Sequence, residues 1–156
     1  MIREIKGDLD GSGLKVGVVM AEFNDMITGQ LKRGALDMLE KCGVNKKDVE
    51  VYKAPGSFEI PGLARRVVES GKYDGVICLG AVIRGETPHF DYVASEVTRG
   101  VGKLSYESEL PVVFGIITAD TVEQAVNRAG VKAGNKGSDA ARALVRQSSV
   151  YSELEN

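Results

Sequence analysis

Apolar residues follow two patterns along the chain: short continuous runs, which indicate strands, and a three-to-four spacing, which indicates helices. Three short, nearly continuous apolar runs, residues 15–21, 74–80 and 111–118, are bounded by residues that favour turns. Runs of this kind are typical of strands covered on both faces of a sheet. A fourth segment, residues 49–54, is shorter and more polar, as an edge or half-covered strand is. The pattern predicts four strands.

Apolar residues at three-to-four spacing mark helices between these strands. The first stripe begins at Ile27 and stops before Gly43, a residue type that often follows the end of a helix. A second begins at Ile60, and a third just after Pro88. The order β-α-β-α-β-α-β, with right-handed crossovers, predicts a flavodoxin-like three-layer α/β sandwich, in which helices cover both faces of a four-stranded parallel sheet. Ligands are expected at the carboxyl ends of the strands.

The last part of the chain continues in helices. Residues 121–129 are predicted to form a short helix, and a closing helix is predicted from Ser138 onward. Between them lies the glycine-rich link AGVKAGNKG at 129–137.

The first residues stand apart from this pattern. Residues 3–9 alternate like a strand, but the GSG at 11–13 separates them from the rest. A strand detached in this way is expected to pair with a neighbouring subunit. No linker rich in Pro or Ser divides the 156 residues. We therefore expect one domain over residues 1–156, with an arm at 1–13 and an α/β core at 14–156.

Composition matches an ordinary folded domain. Hydrophobic residues make up 43% of the chain and charged residues 27%, and the net charge is −2. Basic and acidic residues are interleaved, so nucleic acid is not expected as a partner. No apolar stretch reaches the roughly 18 residues that a membrane span requires. We expect no membrane partner and a cytoplasmic location.

The two cysteines indicate a core role. Cys42 falls on the apolar stripe of the first predicted helix and Cys78 in a predicted buried strand, without CxxC spacing. We expect two buried thiols and no metal site.

The segment AVIRGETPHFD at 81–91 is the first candidate for chemistry, because it leads from the carboxyl edge of the sheet into a helix. Thr87 suits the N-cap and Pro88 the first helical position. Such a helix start offers free backbone N–H groups and the positive end of the helix dipole. It can therefore bind phosphate or another small anion.

His89, the only histidine, falls in the first turn of this helix. The positive helix end disfavours the protonated imidazole and a nearby phosphate favours it, so the side chain can both give and take protons. Such proton transfer typically accelerates a reaction about 100- to 10,000-fold. A histidine at a helix start can equally be a partly exposed capping residue, and context alone favours neither interpretation.

A second candidate segment, APGSFEIP at 54–61, also leads from a strand into a helix. Ser57 is a candidate N-cap, while Phe58 and Glu59 can present an aromatic face and a carboxylate acceptor at the strand ends. The same residues suit a hydrophobic staple and an acid that favours the helix dipole. Context alone favours that structural interpretation.

Two nucleotide-binding motifs are missing. AEFND at 21–25 lacks the GxGxxG of a dinucleotide site, and GNKG at 134–137 lacks the spacing of a P-loop. Phe23 can stack on a planar heterocycle or pack in the core. Arg128 and Lys136 can bind an anion, although isolated cations are more often solvated surface charges.

Four motifs together resemble the lumazine synthase family. They are PGSFEIP at 55–61, GAVIRGETPHFDY at 80–92, FGIIT at 114–118 and NRAGVKAGNKG at 127–137, in the family's order and approximate spacing. The resemblance implies the penultimate step of riboflavin biosynthesis. In that reaction 5-amino-6-(D-ribitylamino)uracil and 3,4-dihydroxy-2-butanone 4-phosphate condense to 6,7-dimethyl-8-ribityllumazine, releasing phosphate and water. No cofactor is implied.

The resemblance also implies roles for individual residues. His89 would carry protons, and Arg128, with Lys136 close by, would pair with the departing phosphate. Glu86 and Thr87 would form the phosphate loop. The remaining residues would contact the uracil substrate: Phe23 by stacking, Ser57, Phe58 and Glu59 at the ring and ribityl chain, Ala81, Val82 and Ile83 through the backbone, and Phe114 from a neighbouring subunit.

Members of this family form homopentamers, and in many of them twelve pentamers close into a sixty-subunit shell. The compact link at 129–137 resembles that of the shell-forming type, and riboflavin synthase is a candidate partner. Two other classes of function stay open on the same fold: a non-catalytic carrier of flavin or lumazine, and a structural shell protein. The presence of His89 and Arg128 favours the enzyme, because a carrier of unphosphorylated flavin needs neither.

Overall fold

A computed structural model describes residues 1–130 and 134–156. The strands of this part of the chain are β1 (Val16–Ala21), β2 (Val49–Ala54), β3 (Gly75–Ile83) and β4 (Val112–Ala119). They form one sheet in the order β2-β1-β3-β4, and each neighbouring pair is parallel. The predicted parallel α/β sheet is confirmed.

Helices cover both faces of this sheet, as predicted. They are α1 (Asp25–Lys41), α2 (Ile60–Glu69), α3 (His89–Glu107), α4 (Val122–Arg128) and α5 (Lys136–Glu155). Helices α1 and α5 pack on one face, and α2 and α3 pack on the other.

The position of β3 in the sheet explains why its sequence is apolar throughout. Ile77 and Leu79 belong to the core beneath α1 and α5, whereas Val76 and Cys78 belong to the core beneath α2 and α3. Because successive side chains of a strand point to opposite faces, a strand buried on both faces has no polar positions.

The predicted end of β3 is wrong. The sequence places it at Gly80, but the strand continues to Ile83 because β4 continues beside it. Val82 pairs with Thr118, and Ile83 pairs with Ala119. The residues predicted as the start of a loop therefore belong to a hydrogen-bonded strand.

The glycine-rich link is held by Asn135, a residue that the sequence analysis did not single out. Its Oδ1 accepts from the backbone N–H groups of Gly137 and Ser138 at 2.8 and 3.0 Å, so α5 begins at Lys136 rather than at Ser138. Its Nδ2 donates to the carbonyl oxygens of Gln30 and Ala129, both at 3.0 Å. The link's residues 131–133 lie outside the described residues.

The amino-terminal arm forms no strand within the described chain. It follows α5, where Arg3 Nη2 lies 3.1 Å from Glu153 Oε2 and the N–H of Asp8 donates to Ser149 Oγ at 3.1 Å. Ile2 remains 89% exposed. Pairing of this arm with a neighbouring subunit stays a prediction.

Both cysteines are buried and free, as predicted. Burial raises the pKa of the Cys78 thiol to about 12. No helix among the described residues is long and apolar enough to cross a membrane.

Candidate functional site

A cavity of about 750 Å³ opens at the carboxyl ends of β1, β2 and β3. It lies where the strand order reverses, because the chain passes from β1 to β2 on one side and then to β3 on the other. Ligand sites of parallel α/β sheets typically occur at this position. The predicted site residues that line the cavity are Phe23, Ser57, Phe58, Glu59, Ala81, Val82, Ile83, Thr87 and His89.

Exposed aromatic side chains surround the cavity. Phe23 is 70% exposed, Phe58 is 56% exposed and Tyr92 is 69% exposed. The core interpretation of Phe23 is therefore wrong. Large apolar rings grouped at a concave surface are suited to cover a planar ligand.

Ser57 does not cap a helix, contrary to the sequence prediction. It lies inside a short 3-10 turn, Ser57–Glu59, that continues into α2, and its buried hydroxyl donates a long hydrogen bond to the carbonyl oxygen of Ala81, at 3.4 Å. A Cβ at Gly80 would lie only 2.8 Å from Ser57 Oγ. The missing side chain on β3 thus lets the hydroxyl turn inward.

Asn24 is a site residue that the sequence analysis did not assign. It lines the cavity, and its Nδ2 donates to the carbonyl oxygen of Ala81 at 3.2 Å. Its backbone has a φ of 63°, in the left-handed region that asparagine adopts more readily than most residues. This conformation is set by the turn between β1 and α1, and the geometry of that turn could not be predicted from the sequence.

The start of α3 faces the cavity. The helix begins at His89, one residue later than predicted, and Pro88 occupies the N-cap position. Thr87 Oγ1 accepts from the backbone N–H of His89 at 3.4 Å. His89 lines the cavity, and its side chain is exposed. In this first turn the N–H of His89 donates to Thr87, and the N–H of Asp91 donates to the carbonyl oxygen of Pro88 at 3.0 Å. The feature of this helix start that favours an anion is therefore the positive end of the helix dipole.

Glu86 and Arg128 lie outside the set of residues that line the cavity. Glu86 is exposed between Gly85 and Thr87, which do line it. Arg128 ends α4, and Val122, which begins α4, lines the cavity. At 1.5 Å per residue, the backbone of Arg128 lies about 9 Å further along the helix axis.

Phe114 and Lys136 line a different cavity, of about 540 Å³, on the outer side of β4 between α3 and α5. Phe114 is 43% exposed there. Ala129 and Asn135 form an isolated antiparallel bridge, so Arg128 and Lys136 directly flank a bridged pair. The bridge brings the backbones of Arg128 and Lys136 near each other, and their role at a phosphate stays a prediction. The predicted residues that line a cavity are thus divided between two separate cavities of one chain.

The described residues hold no group of three or more His, Cys, Asp or Glu side chains placed to bind a metal ion.

A model of the 6,7-dimethyl-8-ribityllumazine synthase family matches residues 13–152 of the chain. The chain belongs to this family. Lumazine synthases are transferase-type enzymes of riboflavin biosynthesis that act on small molecules and assemble as oligomers. Membership therefore favours an enzyme over a non-catalytic carrier on the same fold.

The lumazine synthase cavity also contains residues beyond those that the motifs implied. They are Asn24, Gly56, Gly85, Phe90, Tyr92, Val93 and Val122. Of these, Phe90 and Tyr92 belong to the HFDY end of the motif at 80–92, and their position in the first turn of α3 could have identified them. Val122 comes from α4, and only the three-dimensional fold brings it to the cavity.

Proposed function

We propose that this chain condenses 5-amino-6-(D-ribitylamino)uracil with 3,4-dihydroxy-2-butanone 4-phosphate to form 6,7-dimethyl-8-ribityllumazine. One observation carries the proposal: in a chain of this family, the exposed ring of Phe23 and the imidazole of His89 at a helix start line one cavity. The aromatic side suits a planar pyrimidine, and the helix start suits a phosphate.

The uracil substrate stacks on Phe23 in this proposal. Phe58 and Glu59 hold the ring and the ribityl chain together with Ser57, since a carboxylate accepts hydrogen bonds from hydroxyls. The backbone of Ala81–Ile83, at the carboxyl end of β3, supplies further contacts. All of these residues line the cavity.

The phosphate of the second substrate binds at the start of α3, beside Glu86 and Thr87. Thr87 lines the cavity and Glu86 adjoins it in the same loop. The positive end of the helix dipole favours the phosphate there.

A neighbouring subunit completes the site. Phe114 and Lys136 line a cavity other than the one that holds His89, and Arg128 flanks the same bridge as Lys136. We infer that these three residues act on the substrates of the adjoining subunit. Arg128 then pairs with the departing phosphate, with Lys136 close by.

His89 moves the protons of the reaction. The uracil amine attacks the ketone, and loss of water gives a Schiff base. Phosphate then leaves, and ring closure loses a second water. Each of these steps needs a proton to be added or removed, and a histidine does both near neutral pH. Much of the rate comes from holding two reactants together.

The proposed assembly is a homopentamer, and twelve pentamers close into a sixty-subunit shell. The arm at residues 1–13 adds a strand to the sheet of a neighbouring subunit, a use that its exposed apolar residues support. We propose a cytoplasmic location and riboflavin synthase as a candidate partner. Sedimentation velocity distinguishes five subunits from sixty directly.

The enzymatic test mixes purified protein with both substrates and follows lumazine fluorescence and phosphate release together. We expect one phosphate for each lumazine, at a rate well above that of the same mixture without protein. Omitting either substrate is the control. A rate equal to the uncatalysed one would refute the enzymatic function and leave a carrier or a shell protein.

A further inference from the structure

Arg84, the first residue after β3, is held by three neighbours. Its Nε donates to Asp120 Oδ1 at 2.9 Å, and its Nη1 lies 3.5 Å from Asp91 Oδ1. Its guanidinium carbon lies 4.4 Å from the centroid of the Phe90 ring. The planar group thus makes two ion pairs and one cation–π contact.

These neighbours belong to different elements. Phe90 and Asp91 are in the first turn of α3, directly after His89. Asp120 follows β4, and its N–H donates to Gln124 Oε1 in α4 at 2.8 Å. Arg84 therefore connects the start of α3 with the start of α4, across the carboxyl ends of β3 and β4.

The loop that Arg84 begins has few other supports. Residues 85–88 are all exposed, and a Cβ at Gly85 would meet open space. The backbone N–H of Arg84 donates to the carbonyl oxygen of Ala119 at 2.9 Å, which fixes the start of the loop. Its side chain reaches past the loop to the first turn of α3 and so fixes the other end.

Arg84 is poorly suited to bind phosphate itself. Its charge is balanced by Asp120 and Asp91, and the hydrogen bond to Asp120 raises the pKa of the guanidinium. The side chain is also 46% exposed, so its ion pairs contribute little to folding stability. A role in shaping the site therefore explains the contacts of Arg84 better than direct binding of phosphate or a contribution to folding stability does.

We propose that Arg84 is a positioning residue, which holds the first turn of α3, and with it His89 and the phosphate loop, in register with α4. The inference rests on the proposed function. Without Arg84 the loop at 85–88 can shift against the sheet, and displacements near 1 Å are enough to impair a site that aligns two reactants.

The test compares Arg84→Gln with Arg65→Gln. Arg65 is a matched control, because its Nε lies 2.8 Å from Glu69 Oε1 in an exposed ion pair on α2. We expect Arg84→Gln to lower kcat, because His89 is displaced, and to raise KM for the phosphorylated substrate about tenfold, with little change in KM for the uracil substrate. Arg65→Gln leaves both constants unchanged, and both variants keep the thermal midpoint of the wild type. Arg84→Lys retains the charge without the planar group and gives an intermediate KM.

A second measurement does not need turnover. Diethyl pyrocarbonate modifies histidine, and His89 is the only histidine of the chain. Inorganic phosphate bound at the start of α3 should therefore slow the modification of His89, and the degree of protection measures phosphate binding. Arg84→Gln should raise the phosphate concentration that gives half-protection, again about tenfold. If wild-type protein makes no lumazine but phosphate protection still depends on Arg84, the proposed function fails and the positioning role stands. Equal kinetics and equal protection in Arg84→Gln and Arg65→Gln would overturn the positioning role.

Discussion

Asn24 and Ser57 donate hydrogen bonds to the same carbonyl oxygen, that of Ala81, at 3.2 and 3.4 Å. Asn24 follows β1, Ser57 follows β2, and Ala81 belongs to β3. The wall of the cavity is thus tied together by side chains from two loops that meet on the backbone of a third segment. The shape of this wall therefore depends on hydrogen bonds between segments that are distant in sequence.

The left-handed backbone of Asn24 allows a paired test. Asn24→Gly removes the amide but tolerates the φ of 63°, whereas Asn24→Ala removes the amide and is strained there. We expect Asn24→Ala to be less stable than Asn24→Gly by about 1 kcal/mol in urea unfolding, although the flexibility of glycine acts in the opposite direction. Equal stability of the two variants would contradict the strained conformation.

The close approach of α5 to α1 predicts opposite effects of alanine at two helical glycines. A Cβ at Gly137 would lie 2.0 Å from the carbonyl oxygen of Leu31, whereas a Cβ at Gly29 would meet nothing within 4 Å. Gly137→Ala should lower the free energy of unfolding by about 2–3 kcal/mol, because backbone must move. Gly29→Ala should raise it by up to about 1 kcal/mol. Thermal unfolding of the two variants checks both signs.

Arg128→Ala should weaken use of the phosphorylated substrate. In the described chain Arg128 donates only to the carbonyl oxygen of Gln124 within its own helix, at 3.4 Å, so its removal costs little folding stability. We expect a rise in KM for that substrate of about tenfold or more, since a charge-assisted bond to phosphate is lost. Arg66→Ala is the control, because Arg66 donates in the same way to the carbonyl oxygen of Gly62. A similar change in both variants would contradict the role of Arg128.

A site shared between subunits predicts complementation. His89→Ala should lower turnover about 100- to 10,000-fold without altering assembly, and Phe114→Ala should also be impaired. When equal amounts of the two variants are unfolded and refolded together, about a quarter of the sites receive an intact His89 and an intact Phe114 from different subunits. Activity should therefore reappear in the mixture and in neither variant alone. If the mixture stays inactive although mixed oligomers form, both residues serve one chain.

The buried thiol of Cys78 predicts how stability depends on pH. Burial raises its pKa from 9.0 to about 12, so the folded chain keeps the proton where the unfolded chain loses it. The contribution of Cys78 to stability is complete below pH 9 and declines as the pH rises toward 12. The difference in unfolding free energy between wild type and Cys78→Ala should narrow over that range. A constant difference would contradict the shift.

Local patterns were enough to predict the order and type of the strands and helices. The continuous apolar run of β3 predicted burial on both faces, and Gly43 marked the end of α1, where it has a φ of 92°. The motif at 80–92 also identified the helix start that carries His89. These features depend on the spacing of neighbouring residues, which the sequence displays directly.

Contacts between distant segments decided the rest. β3 extends to Ile83 because β4 continues beside it, and Ser57 turns inward because Gly80 on another strand leaves room for its hydroxyl. Only the fold separates Phe114 from His89 into two cavities of one chain. The sequence alone determined which residues are available for chemistry, whereas the tertiary structure decided which of them meet, because hydrogen-bond partners and free space come from parts of the chain far apart in sequence.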